Sequence, residues 1–429
     1  MQVNYSFHKF QCPGQPGWYN KMLNWLEQFS IFCVLDHCGY AGRQHSFPRM
    51  AAAGAIQTFE AEPGNAFATL EAAAATKQWL FGHIGYDCKN EVEQLGSRLP
   101  EHTGFPGFFL FQPEIILLLE EDTIQIASAF KPPGDIWNEI TGAVATAHTK
   151  VTGSNLHLES RFTREEYTRT VNRLKEHIHR GDCYEINFCQ EFFAEQAHID
   201  PLSAYRSLTE TSPNPFSGFY RVRNSYLICA SPERFLQKKE NTLISQPIKG
   251  TWKRSRENDQ EERNALQRDA KERSENIMVA DLVRNDLSKI CSRGSVTVTE
   301  LCGVYTFPQV HHLVSTITGT VEPGTGIVPI MKALFPMGSM TGAPKKKVME
   351  LVEQYEKTKR GIFSGALGYI TPDGDFDFNV VIRSMMYNTA NNYLSYLAGS
   401  GITFYCDAEK EYEECLLKAQ AIEKVLRNF

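Results

Sequence analysis

The chain has no C-x-x-C pair among its eleven cysteines, whose number is odd and whose spacing is irregular. That argues against a disulfide framework or a zinc site and fits reduced thiols in the cytosol. No strongly apolar run exceeds I-I-L-L-L at 115–119, far short of the roughly 20 residues that span a bilayer. The opening residues, M-Q-V-N-Y-S-F-H-K-F, lack the basic-then-apolar order of a signal peptide. Basic charge is not in excess either. A net charge of -6 leaves no footprint for nucleic acid or an anionic membrane. Internal repeats and low-complexity tracts are missing. The expectation is a soluble cytoplasmic protein without nucleic-acid or membrane partners. Its 429 residues suffice for two or three domains or one large α/β unit.

Residues 1–155 read as a strand-rich region. Strands are expected at 32–36, 79–87, 108–111, 114–119 and 123–129, and helices at 18–29 and 136–149. The polar stretch 150–161 reads as a linker into a second region, 160–429. There Thr163 and Glu166 form a capping-box pair, and Tyr167, Val171, Leu174 and Ile178 follow at helical spacing. Gly181 ends that helix and 183–193 runs on as a strand.

The second region turns on I-S-Q-P-I-K-G-T at 244–251. Pro247 stiffens the backbone and Gly250 relaxes it, so Lys249 is expected on a tight turn beside bare backbone. A solvated hairpin lysine is the simplest reading of eight residues. A desolvated one has a lowered pKa and can act as an amine nucleophile. Glu272 and Glu275 share one helix face, and Glu411 and Glu414 another. Each pair alone reads as a solvent face, but together they suit a hard divalent cation such as Mg2+. Glycine-bearing segments at 335–344 and 397–401 offer backbone amides for a carboxylate.

Seven segments stand in order: G-D-C-Y-E-I-N-F from Gly181, S-P-E-R-F from Ser231, P-I-K-G-T from Pro247, K-E-R-S-E-N-I-M-V-A-D-L-V-R-N-D-L from Lys271, H-H-L-V-S from His311, F-P-M-G-S-M-T-G-A-P-K from Phe335, and A-G-S-G-I from Ala398, which E-Y-E-E follows from Glu411. Together they resemble the chorismate-utilising enzymes over 160–429, and 1–155 only loosely. The resemblance implies an α/β fold of the α+β type, with two packed antiparallel sheets, outer helices and a chorismate site between the sheets. It implies Mg2+ on Glu275 and Glu414, with Glu272 and Glu411 behind them. Chorismate contacts are implied at Thr251, His312, Arg383, Tyr396 and the backbone near Gly399 and Gly401.

Within that family P-I-K-G-T resembles the aminodeoxychorismate synthases, whereas anthranilate synthases resemble P-I-A-G-T. The implied chemistry is attack of Lys249 on C2 of chorismate as the C4 hydroxyl leaves, with Glu233 as general acid. Ammonia then adds at C4, giving 4-amino-4-deoxychorismate on the route to 4-aminobenzoate and folate. Glu185 stands where water-adding members have lysine and amine-using members usually have glutamine; it is expected to pair with Lys249 or to bind backbone. No glutaminase cysteine segment is found, so ammonia is expected from a separate glutamine amidotransferase subunit, and pyruvate removal from a separate lyase. The alternatives are an anthranilate synthase component I and a non-catalytic chorismate-binding scaffold.

Overall fold

Long runs of β-branched and aromatic residues form antiparallel strands around one shared member, Phe108–Leu119. Its first half pairs with Leu80–Ile84 and its second half with Thr123–Ser128. Two sheets diverge from this strand. The first continues through Met50–Ala61, Ile31–Asp36, Phe216–Val222, Ser225–Ser231, Ser384–Asn388 and Tyr393–Thr403 to Glu185–Ala194. The second runs from Leu80–Ile84 through Ala366–Ile370, Phe376–Asn379, Arg234–Lys239 and Thr242–Gln246 to Val310–Thr320. That last strand also carries Ile248–Lys253 and Thr297–Thr306. The computed structural model describes all residues except 1–2, 13–16, 41–44, 63, 145–155, 255–257, 308–309 and 428, and the side chains of Thr251 and Lys253.

Two cores result. One lies between the first sheet and the helices Trp18–Leu26, Arg164–His179, Pro201–Thr211 and Ala408–Leu426. The other lies between the sheets and contains Phe81, Phe111, Tyr220, Leu236 and Met386. Full burial of each such side chain contributes roughly 1.5–3 kcal/mol. Thr163 and Glu166 form the expected capping box, and the four apolar residues behind them are buried. The first 155 residues do not stand apart, since Ile31–Asp36 pairs with Phe216–Val222 and Leu80–Ile84 with Ala366–Ile370.

Several local expectations change. Strands 108–111 and 114–119 are one strand. Pro113 is accommodated opposite Ala55, where the register shifts and the missing N–H is tolerated. The helix expected at 136–149 spans Pro133–Gly142, and 145–149 lie outside the described residues. So does the first half of the expected linker, residues 150–155, while its Glu159–Ser160 pairs with Phe193 and Phe192. Lys249 is not on a turn. It lies in the strand Ile248–Lys253, paired with Leu313, and Gly250 beside it makes a bulge at φ 87°. A positive φ at the extra residue re-aims the strand's side chains, which a tight turn was not needed to do.

Candidate active site

The sheets and two helices enclose a cleft of about 1580 Å³. The strand Glu185–Ala194 supplies Asn187 and Cys189, the strand Ile248–Lys253 supplies Lys249, and Val310–Thr320 supplies His312. Helix Ala270–Ser288 contributes Glu272 and Glu275, and helix Ala408–Leu426 contributes Glu414 and Lys418. Glu233 and Arg383 enter from irregular segments beside the strands.

Lys249 forms an ion pair with Glu185, Nζ to Oε1 at 2.6 Å, and both side chains are buried or nearly so. Asn276 Nδ2 donates to the carbonyls of Lys249 and Leu313, tying the strand pair to the Ala270–Ser288 helix. Burial by itself would lower the Lys249 amine, but Glu185, Glu275 and Glu414 outweigh it and raise the pKa. The lowered pKa expected for a desolvated lysine is therefore not found here. The surroundings are acidic as well as dry, and the group rests as an ammonium.

Glu233 behaves in the opposite way. Burial pushes its carboxyl up to about 7, against the pull of Ser339, Lys249, the Ile248 amide and Arg383. Ser339 Oγ donates to its Oε1 at 2.6 Å, and Asn187 Nδ2 holds the Ser339 carbonyl at 3.1 Å. Arg234, next in sequence, does not pair with Glu233; it turns away to Asp377 at 2.9 Å.

Arg383 has φ 51°, and its Nη2 donates to His312 Nε2 at 2.9 Å. His312 Nδ1 lies 3.3 Å from the Gly250 carbonyl. Burial and the Arg383 charge push the imidazole well below its ordinary pKa, so it is neutral and accepts at Nε2. Burial pulls the Arg383 guanidinium down to about 10, still charged. No carboxylate forms a salt bridge with it among the described residues. A buried cation resting on a neutral ring is suited to a substrate carboxylate.

At the other wall the glutamates crowd one another. Burial and then Glu275 raise Glu272 to about 7; burial and then Glu414 raise Glu411 to about 7. Burial raises Glu275, whereas Lys418, 2.8 Å from Glu414, holds that carboxyl below its usual range. Glu411 Oε2 is buried without a hydrogen-bond partner among the described residues. No group of three or more His, Cys, Asp or Glu side chains converges as a metal cage among them. What the two helices offer is carboxylate oxygens, one of them unpaired among the described residues, the donor chemistry that a hard cation such as Mg2+ would take together with waters and substrate oxygens.

The remaining expected substrate contacts are Tyr396, Thr251, Gly399 and Gly401. Tyr396 does not line the cleft: its ring stacks on Phe192 at 5.1 Å, and its hydroxyl lies 3.4 Å from Glu423. It packs strand against helix. The Thr251 side chain lies outside the described residues. Gly399 and Gly401 sit in the ladder with Glu185–Ala194. A Cβ on Gly399 would come 2.1 Å from the Phe188 carbonyl, and one on Gly401 would come 2.5 Å from Lys249 Nζ. Their evident task is room. Ser339, Asn187, Asn276 and Lys418 were not singled out from the sequence. Ser339 stands inside the segment from Phe335, read for its glycines and for the family resemblance.

Residues 36–424 match the model of the chorismate binding enzymes. The chain is 32% identical over 346 residues to aminodeoxychorismate synthase component 1 of Klebsiella aerogenes, covering 80% of this chain and 75% of that one. It is 30% identical over 358 residues to anthranilate synthase component 1 of Thermus thermophilus, covering 81% and 77%. Among solved structures, anthranilate synthase component I from Streptococcus pneumoniae superposes with a TM-score of 0.77 at 24% identity, covering 90% of this chain and 94% of that one. Overall identity is nearly the same for two relatives with different names, so the branch has to be argued from individual residues.

Proposed function

The chain belongs to the chorismate binding enzyme family, and on that premise we propose that it is an aminodeoxychorismate synthase component I. It converts chorismate and ammonia to 4-amino-4-deoxychorismate, with ammonia supplied by a separate glutamine amidotransferase subunit. The observation that carries this reading is Lys249 in the cleft wall, with Glu233 lining the same cleft. An amine can attack carbon, and hydroxide leaves well only when it is protonated as it departs. A carboxyl with a pKa of about 7 holds a proton at neutral pH and can give it up.

The rest of the cleft supports the same substrate class. Arg383 offers a guanidinium for one carboxylate of a dianion. Glu275 and Glu414, backed by Glu272 and Glu411, would hold Mg2+. Bound there, the ion would neutralise a second substrate carboxylate. Ser339 and Asn187 orient Glu233, and the Glu185 pair orients Lys249.

The test is product analysis with the full chain, chorismate, Mg2+ and ammonium, with and without an added aminodeoxychorismate lyase. The expected result is 4-aminobenzoate only when the lyase is present. Anthranilate formed without lyase would move the chain to the anthranilate synthase branch, and chorismate binding without turnover would make it a scaffold.

A further inference from the structure

An ammonium has no lone pair, so Lys249 must lose a proton before it can attack. The charge of Lys249 is already opposed by Glu275 from one helix and Glu414 from the other. Glu185 adds direct contact, 2.6 Å from Nζ, on a buried strand. The backbone around the pair is cleared for it. A Cβ at Gly401 would sit 2.5 Å from Lys249 Nζ and 2.9 Å from Glu185 Oε1, and one at Gly342 would meet the Glu185 carbonyl at 2.0 Å.

Two other cleft groups that could accept a proton, Glu233 and His312, are committed. Glu233 receives a hydrogen bond from Ser339 and has to keep its own proton for the leaving group. His312 uses Nε2 for Arg383 and Nδ1 for the Gly250 carbonyl. Lys418 is a cation bound to Glu414 and the Gly399 carbonyl. We propose that Glu185 is the proton acceptor that arms Lys249, taking its proton at the start of each turnover and returning it at the end.

The inference rests on the reading of Lys249 as nucleophile. The proton passes from Nζ to Glu185, and the C2–N bond forms as the C4–O bond breaks. The departing hydroxide takes the proton of Glu233 and leaves as water. Ammonia, the co-substrate, adds at C4 as the C2–N bond breaks and Lys249 leaves as a neutral amine. The new C4 ammonium gives one proton back to Glu233, and Glu185 returns its proton to Lys249. The sum is chorismate plus ammonia giving aminodeoxychorismate plus water. No proton leaves the site when the amine is armed. With a glutamine at 185 it would have to go to solvent.

The test compares the full-length protein with Glu185→Gln, Glu185→Ala and Lys249→Ala, using chorismate, Mg2+ and ammonium. Single-turnover rates are followed from about pH 6.5 to 9.5 with an indicator dye reporting protons released. Glu185→Gln is expected to be about tenfold or more slower at pH 7 and to regain about tenfold per pH unit. It should release one proton per site as the amine attacks, with KM for chorismate little changed. Glu185→Ala is expected to recover with added formate, a carboxylate small enough for the vacated space. A Glu185→Gln profile and proton count matching the unsubstituted protein would overturn the inference while an inactive Lys249→Ala left the nucleophile standing. Product formation by Lys249→Ala would instead show that the nucleophile reading had failed, and the proton acceptor with it.

Discussion

Two of the protein's buried ion pairs are built in quite different ways. Arg234 and Asp377 meet through two contacts, Nε to Oδ1 at 2.9 Å and Nη2 to Oδ2 at 3.0 Å. Gln246 and the Ser46 carbonyl accept from the same guanidinium, and Gln237 donates to the same carboxylate. Lys249 and Glu185 meet through one contact, beside a cleft. The first pair is saturated and joins neighbouring strands of the second sheet; the second keeps donors and lone pairs available. Burial alone does not distinguish structure from chemistry. What distinguishes them is how many hydrogen bonds remain uncommitted and whether space adjoins them.

The sharpest way to break this comparison is to remove one cation from each pair. Lys249→Met is expected to lower kcat by at least about 10³-fold. It should cost only about 1–2 kcal/mol of stability, because Lys249 lines the cleft and water can reach the space it vacates beside Glu185. Arg234→Met is expected to cost about 3–5 kcal/mol in urea unfolding, since Asp377 is left charged and fully buried. Equal stability losses in the two variants would sink the distinction.

Glu233→Gln comes next. Its kcat is expected to fall about 10²–10⁴-fold, and its stability should move the other way. The folded pKa of about 7 lies above the ordinary 4.5, so between those values the folded chain binds more protons than the unfolded one. The stability contribution of this carboxyl is present below about 4.5 and is lost as pH rises towards 7. Replacing it should therefore stabilise the protein by up to about 3 kcal/mol at pH 8. Denaturant melts at pH 5 and pH 8 check this, and an equal effect at both would refute it.

Smaller effects sharpen the picture. Gly401→Ala places a methyl 2.5 Å from Lys249 Nζ and is expected to lower kcat about tenfold with little change in KM. Unchanged kinetics would mean the pair has slack. Thr163→Ala removes the cap of a helix that does not itself line the cleft. It is expected to cost about 1 kcal/mol, measurable by thermal melting, and to leave kcat alone.

Much of the fold was legible because its signals are local. The capping box at Thr163 and the stripe Tyr167, Val171, Leu174 and Ile178 need only helical spacing to be read. Pro113 misled, since a proline inside an apolar run looks like a break until the register shift on the partner strand is seen. Lys249 misled in the same way: a glycine after a lysine reads equally as a turn or a bulge. Tyr396 stood in the right strand, but which face it took depended on the helix carrying Glu423.

From its residues alone the chain carried its motifs, their order, the family resemblance and the identity of the charged groups. Covalent sequence determines which ionisable side chains exist and how neighbouring ones can be spaced. Only the tertiary structure decided their states. Lys249 is raised because carboxylates from three separate elements surround it, Glu233 because it is buried, and His312 is neutral because it is buried and Arg383 lies against it. Those shifts depend on burial and on distances between residues far apart in the chain, 64 positions in the case of Glu185 and Lys249, and no local pattern encodes a distance of that kind.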